Sequence, residues 1–499
     1  MGSEVELRRA IRRRLLERSV NPYPHRPKYS PVPVREVVRS PQVGLTVAIA
    51  GRVLGIRRHG GLIFFDIVDD GARIQCSISR GEVGEELFSF FENYIDLGDI
   101  VNVYGTLYYT KKGELTVATR DVQLLAKALR SPPVKWGHRI LDPEVRYRKR
   151  YLDVMTNPRA RRVLEVRFKT IEEIRKFMWG KGFIEVETPI LQPIYGGAAA
   201  RPFKTYVWAL DAEWYLRISL ELYLKRFIVA GFNKVFEIGK NFRNEDIDVE
   251  HNPEFTMMES YEAYADYNDV MRLAEELIST VAGRVLGTTA VEYPLGTELV
   301  KINLSPPFKR LTMAEAFREF AGIDIEVIPD DKVKELLARY SISLAGGYDR
   351  GRAVVKLFDR LVGREFLLQP TFIMDFPRSS SPLAKPHRSK VGYSERFELY
   401  IAGMELANAY TELNDPELQA EYFEEEETRR ALGDLEAHPF DWDFVEALEY
   451  GMPPTGGLGL GIDRLVMVLT GSTSIKDVIP FPMIKPREFQ GGGDEQKSS

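Results

Sequence analysis

Glu398 and Glu405 lie on two strand-like runs, 396 to 401 and 404 to 411, that flank Ala402 and Gly403, a pair suited to a two-residue hairpin turn. Across such a turn Tyr400 opposes Glu405, so Glu398 shares the face of Glu405 and sits diagonal to it, roughly 7 to 8 Å away. Two carboxylates at that distance can share magnesium ions. The second run also carries Asn408 and Glu412. Strict alternation puts Glu405 and Asn408 on opposite faces, so one site can use both only if the strand bulges or twists between them.

Cations that suit an anionic ligand lie elsewhere. Arg243 follows the apolar run Val235, Phe236 and Ile238, and Arg464 follows the glycine run of GGLGLGIDRLVMVL. A guanidinium forks onto phosphate oxygens. Beyond Arg243 and a polar, turn-like stretch, Phe255, Met257, Glu259 and Tyr261 repeat with a period of two and share one strand face. A flat apolar ring suits a purine face. Glu259 on that face must reach water or meet a cation, and on this stretch alone an exposed sheet face and a binding site are both open. The glycine spacing before Arg464 does not fit the dinucleotide-binding fingerprint, and no Walker lysine precedes it, so a Rossmann cofactor is not expected.

FRNED, HNPEF and the following AYADYND resemble the second signature motif of class II aminoacyl-tRNA synthetases, in the form it takes in lysyl-tRNA synthetases. The resemblance implies that Arg243 grips the ATP α-phosphate, that Glu245 and His251 belong to the ATP site, and that Phe255 stacks on adenine. GGLGLGIDR resembles the third motif, which makes Arg464 the second catalytic arginine. Glu398 and Glu405 would then hold Mg2+ on ATP. For the amino acid, the resemblance implies Gly196, Glu221, Glu259, Tyr261, Asn408, Glu412 and Gly457, with Glu259 on the α-amino group and Glu221 and Glu412 on the side-chain ammonium. AGMELANAY departs from the commoner GGREIGNGF but keeps the acidic and amide positions. Several buried carboxylates repel one another unless cations enter, so such a pocket expects a substrate with two ammonium groups. The implied function is ATP-dependent activation of L-lysine and its transfer to the 3′ end of tRNA(Lys). The alternatives are an aspartyl or asparaginyl enzyme of the same architecture, which would need a cation facing the side-chain pocket, and a catalytically silent tRNA-binding paralogue.

The elements that must position these residues fill 499 positions, too many for one ordinary core. A basic helix-like segment with Arg8, Arg9, Arg12, Arg13, Arg14 and Arg18, plus a proline-rich connector, occupies 1–40. A solvated helix face and a nucleic-acid patch are both open for those arginines, since a net charge of −5 excludes only broad adhesion to nucleic acid. Within 41–128, five strand-like runs with one helix-like segment, EELFSFFEN, between the third and fourth predict an OB-type barrel, with a β-sandwich as the alternative. Arg57, Arg58, Phe64 and Gln75 supply cations, a stacking ring and a base-reading amide for single-stranded RNA. The region resembles the anticodon-binding domain shared by lysyl-, aspartyl- and asparaginyl-tRNA synthetases, which implies that Phe64 stacks on the central anticodon uridine and Gln75 reads it. Of the adjacent Phe64 and Phe65, one must be core.

After a charged, proline-containing linker, 129–155, the stretch 156–488 is expected to be an α+β catalytic domain, an antiparallel sheet with flanking helices. Val163, Val166, Phe168, Ile171, Ile174, Phe177 and Met178 predict an amphipathic helix over 161–179, followed by the strand FIEVETPIL. This pair resembles the first class II motif and implies a homodimer, with a buried intrachain helix as the alternative. The tail 489–499 is expected to be disordered. One cysteine, Cys76, excludes an intrachain disulfide and any cysteine-based zinc site, and no apolar stretch is long enough to span a bilayer. A cytoplasmic protein with no membrane partner is expected.

Overall fold

A computed structural model describes residues 4–133 and 136–486, so the expected disorder of 489–499 lies outside the described residues. The chain divides into two compact units, Met1–Arg162 and Val163–Ser499.

The first unit is built on β1 (Thr46–His59), β2 (Leu62–Asp69), β3 (Ala72–Ser79), β4 (Ile100–Tyr109) and β5 (Leu115–Ala126), which form a closed barrel in the order β1-β2-β3-β5-β4. Pairing of β1 with β4 closes the ring, which rules out the sandwich. Alternation decides what is inside: Ile63, Phe65 and Ile67 of β2 and Ile74, Cys76 and Ile78 of β3 are buried in one core. Phe65 is therefore the core member of its pair. The helix Arg80–Tyr94 adds Phe88 and Phe91 to that core, with the Phe91 ring 4.5 Å from that of Phe65. Gly105 sits at a register shift on β4, where a Cβ would fall 2.1 Å from the Ala118 carbonyl oxygen. The basic helix Glu4–Glu17 divides its arginines. Arg8 is buried and donates to the carbonyls of Leu97 and Ala128, whereas Arg9, Arg13 and Arg14 face solvent.

The second unit contains β6 (Ile184–Glu185), β7 (Leu191–Gln192), β8 (Lys204–Val207), β9 (Ala212–Leu216), β10 (Lys234–Phe242), β11 (Glu254–Ala263), β12 (Ala290–Leu295), β13 (Glu298–Asn303), β14 (Lys309–Thr312), β15 (Thr371–Pro377), β16 (Tyr393–Ile401), β17 (Met404–Thr411) and β18 (Thr455–Gly461). Eight of them make one sheet, β14-β15-β16-β17-β18-β11-β10-β6, antiparallel except at its two outermost pairs. One face packs against the helices Pro158–Gly180, Tyr267–Leu286 and Ile462–Thr470 in a single core that includes Ile174, Met178, Leu277, Val281, Leu465 and Val466. Met258, Phe397, Leu399, Leu458 and Leu460 point into that core, so their strand neighbours point to the other face.

Two expectations are corrected here. Phe168 is 56% exposed, because two residues along a helix from Val166 is about 200° of rotation, off the buried face. Of FIEVETPIL only Ile184–Glu185 joins the large sheet, in parallel with β10. Pro189, with no N–H to donate, separates it from Leu191–Gln192, which joins a different, three-stranded sheet.

Candidate active site

The face of the large sheet away from the helices floors a cavity of about 480 Å3. Phe255, Met257, Glu259 and Tyr261 of β11, Glu398 of β16, Glu405 and Asn408 of β17, and Gly457 of β18 all line it, as do Glu221, Arg243, Glu245, His251, Glu412 and Arg464. Glu405 and Asn408 share this face through a bulge. Tyr400 pairs with Glu405 and Leu399 with Ala407, and both Leu406 and Ala407 turn into the helix-side core. The hairpin turn at Ala402 and Gly403 has positive φ at both positions, as a type I′ turn requires.

β18 makes room for the site by lacking side chains. A Cβ on Gly457 would fall 1.9 Å from Glu412 Oε1 and 2.5 Å from the Tyr261 ring. The four glycines of 455–461 disfavour a strand, and the packing of its neighbours is what holds it in one. Gly196 is corrected: it packs against Leu222 and does not line the cavity, while Gly197 does. Gly197 has φ +86° and sits where a Cβ would meet Ser219 and Glu221 within 2.9 Å.

At one end the cavity is acidic. Glu259 is buried and accepts from Ser219 Oγ at 2.9 Å and the Leu220 N–H at 3.0 Å on one oxygen, and from the Tyr261 hydroxyl at 3.2 Å on the other. Burial, with the nearby charge of Glu221, pushes its carboxyl up to about 7 against those donors. Glu221, the first residue of helix Glu221–Val229, accepts from Lys225 Nζ at 2.6 Å, and the same ammonium pairs with Glu412. Burial raises Glu412 to about 8, opposed by Lys225. Its Oε1 has no hydrogen-bond partner.

The other end holds arginines. The Arg243 guanidinium lies 5.0 Å from the Phe255 ring centroid. Arg464 donates to the Glu405 carbonyl at 2.6 Å and to His251 Nε2 at 3.0 Å. His251 accepts there, so its proton is on Nδ1, 2.9 Å from Asp248. Glu398 is buried, accepts from Tyr400 and Arg396, and is raised to about 8 by burial and then by Glu405. A carboxylate buried beside a second carboxylate is stabilised in its charged form by a cation between them. No group of three or more His, Cys, Asp or Glu side chains among the described residues makes a cation cage. Glu398 and Glu405 thus fit a divalent ion that takes its remaining ligands from phosphates and water.

Three further residues position this site. Arg396, two before Glu398 on the same strand face, donates to Asn408 Oδ1 at 3.1 Å and Glu398 Oε1 at 2.5 Å. Asp463 accepts the Thr256 N–H at 2.7 Å and pairs with Arg167, fixing β11 against the residue before Arg464. Lys225 lies one helical turn after Glu221, and that E-x-x-x-K spacing is the signal by which it could have been found.

On the barrel, Phe64, Asp66, Gln75 and Ser77 alternate with the core residues and share the outer face with Arg57. Arg58 is exposed. Gln75 departs from the expectation of a free amide: it is buried, donates to Thr116 Oγ1 at 2.8 Å and accepts from Arg57 at 2.7 Å. Arg57 in turn pairs with Asp66 at 3.1 Å.

The family described as "tRNA synthetases class II (D, K and N)" matches residues 142–485, and "OB-fold nucleic acid binding domain" matches 47–125. The lysine–tRNA ligase of Sulfolobus acidocaldarius is 51% identical over 483 residues, 95% of each chain. That of Saccharolobus solfataricus is 51% identical over 97% of this chain and 98% of its own, and that of Methanoculleus marisnigri 50% identical over 90% and 87%.

Proposed function

This chain belongs to the class II tRNA synthetases of the D, K and N group, and from that premise we propose that it is a lysine–tRNA ligase, activating L-lysine with ATP and transferring it to tRNA(Lys). The observation that carries the reading is the convergence of three buried carboxylates, Glu221, Glu259 and Glu412, at one end of a cavity whose other end presents Arg243 and Arg464. An aspartate or asparagine substrate is disfavoured. Lys225, buried at the acidic end, is already paired with Glu221 and Glu412, and the nearby Arg396 with Glu398.

In the first step the lysine carboxylate attacks the α-phosphorus of ATP, a P–O bond forms, and pyrophosphate leaves with the electron pair of the cleaved bond. A carboxylate is a nucleophile at neutral pH, so no general base is assigned. The contribution of the chain is alignment and stabilisation of charge growing on the phosphates. Arg243 and Arg464 supply the guanidinium groups, Phe255 the ring for adenine, and Glu245 and His251 the rim of the nucleotide end. Mg2+ bound with ATP would be held by Glu398 and Glu405 and would neutralise phosphate charge. In the second step the terminal ribose hydroxyl of tRNA attacks the adenylate carbonyl, an ester C–O bond forms, the anhydride C–O bond breaks to release AMP, and the hydroxyl proton is lost to solvent.

We assign 41–128 as the anticodon-binding domain, with Phe64 stacking on a base and Arg57, Arg58 and Gln75 beside it, and 156–488 as the catalytic domain. Gly197 is favoured over Gly196 as the glycine against the amino acid. A homodimer through the helix Pro158–Gly180 and the strands that follow is supported by their exposed Phe168, Trp179, Ile184 and Leu191. A cytoplasmic location is supported by the lone, buried Cys76 thiol. Among the described residues no helix is long and apolar enough to cross a membrane. Charging of a lysine-accepting tRNA transcript with labelled lysine tests the whole reading. Charging with aspartate or asparagine in its place would reassign the substrate.

A further inference from the structure

Three carboxylates and a substrate with two ammonium groups do not balance. Glu221, Glu259 and Glu412 bring three negative charges to the acidic end, whereas the α- and side-chain ammonium groups of lysine bring two positive ones. An excess buried carboxylate has no counter-ion and takes up a proton instead. Lys225 closes the difference. Its side chain is fully buried, its Nζ lies 2.6 Å from Glu221 Oε1, and it pairs with Glu412 Oε2. With all three ionised, Lys225 leaves two charges for the two ammonium groups, since the nearby Arg396 is committed to Glu398.

The geometry shows where the second ammonium would go. Glu412 is 1% exposed and lines the cavity, yet its Oε1 is unpartnered and faces the space left by Gly457. Lys225 holds the opposite oxygen, fixing the carboxylate so that the free one is presented to the cavity. The other charged and titratable groups around the pair are Glu259 and Tyr261 on β11, Tyr410 on β17, Arg396 on β16 and the neutral, buried His438.

We propose that Lys225 is a specificity-determining residue: it favours the ionised forms of Glu221 and Glu412 and orients them so that one terminal ammonium, and not an uncharged tail, completes the side-chain end of the cavity. The proposal rests on the lysine reading above. It runs against simple electrostatics, in which removing a cation from an acidic site strengthens cation binding. Here removal leaves two buried carboxylates facing each other, one of which protonates and becomes a poor partner for ammonium.

The test is exchange of labelled pyrophosphate into ATP by the full chain, with lysine and with norleucine, which lacks only the terminal ammonium. Wild type, Lys225→Met, Lys225→Gln and Lys225→Arg are compared from about pH 6.5 to about pH 9.5. In Lys225→Met the lysine KM near neutral pH should rise roughly ten-fold or more, with the ATP KM within about two-fold. The preference for lysine over norleucine should fall by a similar factor, and the loss should shrink as pH rises and the carboxylates ionise. Lys225→Arg, which keeps the charge, should restore the wild-type pH profile. Lys225→Gln keeps the donors without the charge and should follow Lys225→Met, and it carries the comparison if the methionine variant does not fold. A lysine KM that is unchanged or lower in the uncharged variants, with pH profile and preference intact, overturns the proposal alone. A wild-type chain with no lysine-dependent exchange overturns the substrate reading and this proposal with it.

Discussion

Glu405 and Asn408 line one cavity from a single strand because Leu406 and Ala407 both turn into the helix-side core between them. That one-residue slip lets the same strand serve both ends of the site. Glu405→Gln should raise the ATP KM by roughly ten-fold and leave the lysine KM within about two-fold, while Asn408→Ala should do the reverse. Pyrophosphate exchange at varied ATP and lysine measures both. Equal effects on the two substrates would mean that the bulge does not divide their binding.

Glu412→Gln removes the charge that faces the cavity and leaves the shape. The lysine KM should rise by roughly thirty-fold or more with ATP binding nearly intact, the scale for losing one partner of a buried charge pair. A variant with wild-type lysine affinity would take Glu412 out of the pocket.

The acidic end also predicts a pH dependence. Burial raises Glu259 to about 7 and Glu412 to about 8 from a usual 4.5, so the empty fold holds protons that the unfolded chain releases. A raised carboxyl makes stability greatest at low pH and drains it as pH climbs through the folded value. On the proposed reading lysine would bind the ionised forms and release those protons. The lysine KM should therefore fall, and the rise in Tm given by saturating lysine should grow, from about pH 6 to about pH 8.5. Thermal melts with and without lysine across that range would show it, and a shift independent of pH would contradict it.

Phe64 and Phe65 should separate binding from folding. Phe64→Ala should weaken tRNA affinity by about 1–3 kcal/mol, the worth of one base stacked on a ring, with tRNA-free pyrophosphate exchange unaffected. Phe65→Ala empties a fully buried site and should cost about 3–5 kcal/mol of barrel stability. Filter binding and denaturant melts distinguish the two, and a Phe64 variant with normal tRNA affinity would remove its ring from the RNA face.

The hairpin of Glu398 and Glu405 was legible because its turn residues and its alternation agree over a short stretch. Sequence could say that a bulge is needed before Asn408 but not where, since Leu406 and Ala407 are equally suited to a core. Arg396 was illegible as a site residue because a cation on a strand reads as surface charge until its partners are known, and the E-x-x-x-K spacing ties Lys225 to Glu221 but not to the distant Glu412. Residues 455–461 resisted for a similar reason. Glycine disfavours strands, and only Glu412, Tyr261 and Val270 pressing on that backbone explain why nothing larger is there. Phe168 misled because apolar residues on an outward helix face look like core when nothing in the sequence marks the boundary of the buried stripe.

The central claim is that one cavity binds a diammonium amino acid beside ATP. Exchange of labelled pyrophosphate into ATP, without tRNA and with lysine, aspartate or asparagine as the only amino acid, tests it most directly. Exchange that depends on lysine and is absent with the other two is the predicted result. Exchange with aspartate or asparagine and none with lysine would contradict it.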